Sequence, residues 1–241
     1  MAIVVTAQDF EARQYVSDKK VLPYRLFIPK NYKAKQKYPL MLALHGAGER
    51  GNDNVTHLNL DFTKMWADES IQSKHPCFVL APQCPLGNQW VNTPWDQGSY
   101  NFNAVPISEN LAMVVNILDG LEKEFSFDLN RIFISGVSMG GYGAWFLMMS
   151  FPNRFAAALP VCGGGDPKQA KALAHIPTWV YHGTDDDVVP VSGSRDMVVA
   201  LRAVGGKVKY TELAGVKHES WVAAGENAEL VAWLFEQKRN R

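Results

Sequence analysis

Short apolar runs rich in β-branched and aromatic residues recur along the chain, and between them apolar residues repeat at helical spacing. Residues 24–28, 40–44, 78–81, 131–134, 156–161, 178–181 and 208–213 read as strands. Leu111, Val114, Val115, Leu118 and Leu121 share one face of a predicted helix over 110–125, and Val198, Leu201 and Val204 share one face of another. Leu230, Trp233 and Leu234 mark a last helix over 229–237. This alternation predicts an α/β fold with a mostly parallel central sheet and helices on both faces. Residues 1–20 could add an antiparallel edge strand. The stretch 83–106, rich in Asn, Gly, Pro and aromatics, interrupts the alternation as a long loop, and loops of that length in compact domains tend to carry function.

At 241 residues the chain suits a single α/β domain over 1–241. Hydrophobic content of 47% and charged content of 20% exclude disordered, collagenous and disulfide-scaffold classes. Lys plus Arg and Asp plus Glu both number 24, which gives no electrostatic reason to expect nucleic acid or an anionic membrane as partner. No run of about 18 apolar residues is present, so no membrane span is expected. Residues 1–10 lack a charged start followed by an apolar core; no signal peptide is read, which fits a cytoplasmic protein or a mature secreted form. Cys77, Cys84 and Cys162 match no metal spacing. An extended strand between the first two separates their sulfurs by roughly 20 Å, too far for a disulfide.

Chemistry enters at Gly136-Val137-Ser138-Met139-Gly140, directly after the predicted strand at 131–134. Strand, sharp turn and helix in that order make a nucleophile elbow, in which a serine hydroxyl stands exposed on a strained turn beside backbone N–H groups. A strand-to-helix loop with Ser138 as N-cap is the plainer reading. A nucleophilic serine also needs a histidine to take its proton and a carboxylate to hold that histidine's tautomer. Downstream, the strand at 178–181 runs into His182-Gly183-Thr184-Asp185-Asp186-Asp187, and the last strand is followed by Gly215-Val216-Lys217-His218. Serine, acid and histidine thus fall in chain order, each just past a strand, where open α/β sheets build their sites.

With Leu44-His45-Gly46-Ala47-Gly48-Glu49-Arg50-Gly51, these motifs make the chain resemble an α/β-hydrolase of the serine carboxylesterase type. The nearest groups in kind are the esterase-D, feruloyl-esterase, polyhydroxybutyrate-depolymerase-like and predicted-peptidase (phospholipase/carboxylesterase) groups. The resemblance runs from about Tyr24 to the last helix. It implies Ser138 as nucleophile, His218 as base and Asp186 as acid, because the acid stands four residues after the His of the His-Gly pair. Asp185 and Asp187 are its rivals, and two acidic neighbours should raise the pKa of the middle carboxyl unless His218 and backbone donors hold it ionised. Oxyanion donors are expected from the N–H of Met139 and, by resemblance, of Ala47, with Gly46 as the alternative. His45 and His182 read as structural. Trp90, Trp95 and Trp221 are candidate substrate walls, with packing as the competing role. Gly163-Gly164-Gly165-Asp166 reads as a loop near the site rather than a phosphate cradle.

The expected activity is hydrolysis of short-chain or aromatic esters through an acyl-enzyme, with feruloyl or acetyl groups on plant polysaccharide as first guess. The expected partner is a small-molecule or polysaccharide-linked ester, and no metal or organic cofactor is implied. About 50 residues separate the elbow from the acid, which leaves little or no room for a lid. A peptidase or thioesterase on the same scaffold, or a non-catalytic binding protein, are the other readings.

Overall fold

A computed structural model describes residues 6–18 and 20–239. The leader reading falls partly on residues 1–5, which lie outside that span. Eight strands form one sheet: β1 (Glu11–Ser17), β2 (Lys20–Phe27), β3 (Tyr38–Leu44), β4 (Phe78–Pro82), β5 (Phe127–Val137), β6 (Ala157–Val161), β7 (Thr178–Gly183) and β8 (Val208–Leu213). Their spatial order is β1-β2-β4-β3-β5-β6-β7-β8. The first two pairings, β1 with β2 and β2 with β4, are antiparallel, and every later one is parallel. This is the α/β-hydrolase sheet, and β1 supplies the antiparallel edge anticipated at the N-terminal end.

The helices are α1 (Asp61–Lys64), α2 (Glu69–Gln72), α3 (Glu109–Glu124), α4 (Met139–Ser150), α5 (Ala170–Leu173), α6 (Ser192–Ala203), α7 (Trp221–Glu226) and α8 (Ala228–Glu236). Alternation along the strands decides which face each covers. On β3, Leu40, Leu42 and Leu44 point into a core shared with α3, α4, α5 and α6, while Met41 and Ala43 point into one shared with α1, α7 and α8. Because β3, β4 and β6 are buried at every position, their sequences read as unbroken apolar runs. No helix among the described residues is long and apolar enough to cross a membrane.

Helix α4 is buried from Met139 to Met149, apolar on all sides, and fixes the place where β5 ends. Strand and helix meet here without side chains between them. A Cβ on Gly136 would lie 2.0 Å from the Gly140 carbonyl oxygen, so only glycine permits this approach. Between β6 and β7 the chain carries only the 3₁₀ turn Pro167–Gln169 and α5, and no lid is inserted there. The triple-glycine stretch serves a second close approach: a Cβ on Gly164 would strike the carbonyl oxygen of Gly98 at 2.2 Å. Asp166 accepts from the N–H groups of Phe102 and Lys168, which occupies it with loop closure rather than ligand binding.

The long loop at 83–106 is held down by its aromatics. Trp90 is fully buried, Tyr100 packs toward Tyr142 of α4, and Phe102 packs against Phe146. The Tyr142 hydroxyl reaches the carbonyls of Trp95 and Gly98 at 3.0 and 2.9 Å. All three cysteines are buried and unpaired.

Candidate active site

Ser138 has φ 55° and ψ −117°, a backbone conformation that a residue with a Cβ rarely adopts. The glycines of the elbow allow close packing; the serine itself carries the strain. Its N–H is tied to the Val161 carbonyl at 2.9 Å and its carbonyl accepts from Tyr142, so neighbouring secondary structure holds the turn. The side chain makes no N-cap bond to α4. Instead Ser138 Oγ lies 2.8 Å from His218 Nε2, and His218 Nδ1 lies 2.8 Å from Asp186 Oδ2.

Position within the aspartate triplet separates three carboxylates with three fates. Asp185 accepts from the Thr184 hydroxyl and Asp187 pairs with Lys217 at the surface. Asp186 turns inward with its side chain buried. Burial alone would raise its pKa, but hydrogen bonds from His182, His218 and the N–H groups of Val189 and Val188 outweigh that and hold it well below the usual carboxylate range. The neighbouring acids point elsewhere, so the upward shift expected from their sequence proximity does not arise.

His182 carries more of the site than its sequence position suggested. Fully buried, it places Nε2 3.0 Å from the Val189 carbonyl and 3.2 Å from Asp186 Oδ2. Both are acceptors, so Nε2 bears the proton and Nδ1 accepts from the Ser194 hydroxyl at 2.7 Å. The imidazole therefore braces the same carboxylate oxygen, Oδ2, that meets His218. Its spacing of four residues from Asp186 was visible in the sequence, but periodicity offers no means to tell a brace from a packed core histidine.

His45 braces the other rim. Its Nε2 accepts from the Cys84 N–H at 2.9 Å, which leaves Nδ1 to donate to the Gly46 carbonyl at 2.6 Å. Trp90 completes this unit by donating its indole N–H to the His45 carbonyl at 3.1 Å. The ring of Trp90 has no exposed surface, so it cannot touch a substrate; the substrate-wall role expected for it is corrected to a buried prop. The propped loop presents Ala47 at the first position of the 3₁₀ turn Ala47–Glu49, while Met139 opens α4. Amides at such positions have no intrahelical acceptor and remain available. Trp95 is half-buried, and Trp221 stands edge-on to the His218 ring at 5.5 Å.

The Cys162 thiol, with the Asp186 and His218 ligand atoms, falls in a cluster whose members lie within 4.8 Å of one another. Burial pushes that thiol well up and keeps it protonated, and the other two atoms are already bonded to each other. The set is a poor cation site.

Burial lowers His45 to about 4 and His57 to about 3 from an ordinary 6.5. Both are neutral in the fold at pH 7. Above pH 6.5 folded and unfolded chains are alike; as pH falls toward 4, only the unfolded chain takes up these protons, and stability is lost. For His45 alone the loss is on the order of 3 kcal/mol. A melting temperature flat above pH 7 and falling steadily from pH 6.5 to 4.5 is expected; a flat profile down to pH 4.5 would refute it.

The chain was compared with known proteins. The model of the family described as Phospholipase/Carboxylesterase matches residues 30–229. The chain belongs to this family. Relatives of the chain include a poly(3-hydroxyoctanoate) depolymerase of Pseudomonas fluorescens, 30% identical over 213 residues that cover 82% of this chain and 73% of that protein. A bifunctional acetylxylan esterase/xylanase of Neocallimastix patriciarum is 30% identical over 152 residues, 63% of this chain and 20% of that one. The crystal structure of a thermostable esterase superposes with a TM-score of 0.90 at 42% identity, covering 97% of this chain and 64% of the other. The carboxylesterase-family chain thus spans about a fifth of the acetylxylan esterase/xylanase and just under two thirds of the thermostable esterase.

Proposed function

We propose that the protein is a serine carboxylesterase working through an acyl-enzyme. The observation that carries this reading is the unbroken hydrogen-bond chain from Ser138 Oγ through His218 to Asp186, on a serine whose backbone strain is maintained by the fold. His218 takes the Ser138 proton as the hydroxyl attacks the ester carbonyl. The tetrahedral oxyanion meets the N–H groups of Met139 and Ala47, each worth about 3 to 4 kcal/mol in comparable sites. His218 then protonates the leaving alcohol, and water repeats the sequence on the acyl-enzyme. Throughout, ionised Asp186 keeps the His218 proton on Nδ1, so that Nε2 faces the nucleophile.

The substrate reading is a short acyl or aromatic ester, of which acetyl or feruloyl groups on polysaccharide are the preferred case. The acetylxylan esterase/xylanase relative favours it, as does the absence of a lid between β6 and β7, which leaves room for a bulky alcohol. Incubation with a fluorophosphonate probe should add one phosphonyl group, located on Ser138 by peptide mass mapping. An unlabelled protein, or a label elsewhere, would overturn the reading.

A further inference from the structure

Beside the oxyanion loop lies an open groove of about 640 Å³ lined by Arg50, Gln89, Asn92, Thr93, Pro94 and Trp95. Its walls come from two segments, the loop after β3 and the long loop at 83–106. Arg50 joins them: Nε donates to the Ala47 carbonyl at 2.8 Å and Nη1 to the Asn88 carbonyl at 3.2 Å. Two of its five N–H groups are thereby placed, and three have no hydrogen-bond partner among the described residues. The guanidinium carbon stands 5.8 Å from the centroid of the Trp95 ring.

The groove is held in shape before any ligand arrives. The Tyr142 hydroxyl fixes the Trp95 carbonyl, Ser108 fixes the Trp90 carbonyl at 2.7 Å, and Trp90 is fixed in turn to His45. Little ordering remains to oppose binding, which is what lets a shallow polar surface hold a ligand. Its chemistry is one aromatic plate surrounded by guanidinium, amide and hydroxyl groups. A sugar ring presents the complement, with an apolar C–H face for the indole and a rim of hydroxyls for fixed polar donors and acceptors. An aromatic acyl group could use the indole but few of the polar groups of Gln89, Asn92 and Arg50.

We propose that this groove binds a glycosyl residue of an acylated glycan, with the ring against Trp95 and hydroxyls on Arg50, Gln89 and Asn92. The inference rests on the ester-hydrolase reading for its direction: Arg50 in the groove wall donates to the Ala47 carbonyl at 2.8 Å, so a sugar held there lies next to the loop that carries Ala47. The protein then selects its ester by the carbohydrate that carries it.

The test uses full-length Ser138→Ala protein, titrated with unsubstituted xylotetraose by isothermal calorimetry and by ¹H–¹⁵N spectra. Binding is expected, with shifts at the Trp95 indole and the Gln89 and Asn92 side-chain amides, and Trp95→Ala should weaken it about tenfold. The paired substitution Gln89→Ala, Asn92→Ala should weaken it as well and guards against a folding defect in the tryptophan variant. In the background with Ser138 intact, Trp95→Ala should cost more in kcat/KM on acetylated xylo-oligosaccharide than on p-nitrophenyl acetate. No binding, or binding that both variants leave unchanged, overturns the groove assignment. Failure here with fluorophosphonate labelling of Ser138 intact leaves the esterase reading standing; loss of labelling with sugar binding retained overturns that reading and keeps the groove.

Discussion

Ser138→Ala should lower kcat/KM on p-nitrophenyl acetate by on the order of 10⁵-fold or more while the protein remains folded. Under the proposed mechanism the hydroxyl is the acyl acceptor, and it lies 2.8 Å from His218 Nε2. Alanine keeps the Cβ and so keeps the strained φ of 55°. Its melting temperature should therefore stay close to the parent's. Ser138→Gly should be equally inactive yet more stable, since glycine adopts that conformation without strain worth about 1 to 3 kcal/mol. Turnover by the alanine variant within tenfold of the parent would remove Ser138 from the mechanism. A glycine variant less stable than the alanine one would mean that the turn is not strained.

The second large effect belongs to the acid. Asp186→Asn should reduce kcat by about 10⁴-fold with little change in KM, because an amide can donate to His218 Nδ1 and so favours the tautomer whose proton sits on Nε2, facing the serine. Asp185→Asn and Asp187→Asn should each stay within about threefold of the parent, since their carboxylates meet Thr184 and Lys217 at the surface. Steady-state kinetics on the three variants decides the matter. A loss in Asp187→Asn equal to that in Asp186→Asn would displace the assignment.

The strands and the elbow were legible because burial writes itself directly into composition. Leu40 to Leu44 must be apolar on both faces, and Gly136 must be glycine for β5 and α4 to meet. The order of serine, acid and histidine was legible for the same reason, each following a strand end. Trp90 was misplaced as a substrate wall because an aromatic in a long loop has the same sequence signature whether it faces a ligand or props the loop from beneath. What separates the two is a contact 45 positions away, with the His45 carbonyl. Asp186 depended on resemblance, since three consecutive aspartates have equal local propensity and only the inward turn toward His182 and His218 distinguishes the middle one. His182 escaped notice as a brace for a related reason: its spacing from Asp186 and Val189 is local, but whether the ring turns toward them depends on how the loop after β7 folds.

The strained elbow sits between the central strand β5 and the wholly buried helix α4, while the sheet edges are the exposed strands β1 and β8. Fraying at either edge can therefore proceed without releasing the serine turn. Amide hydrogens around Ser138 should be among the slowest to exchange, leaving only by global opening. Loss of the serine turn on warming would then coincide with cooperative unfolding, with no preceding phase in which a structured molecule has already released its nucleophile.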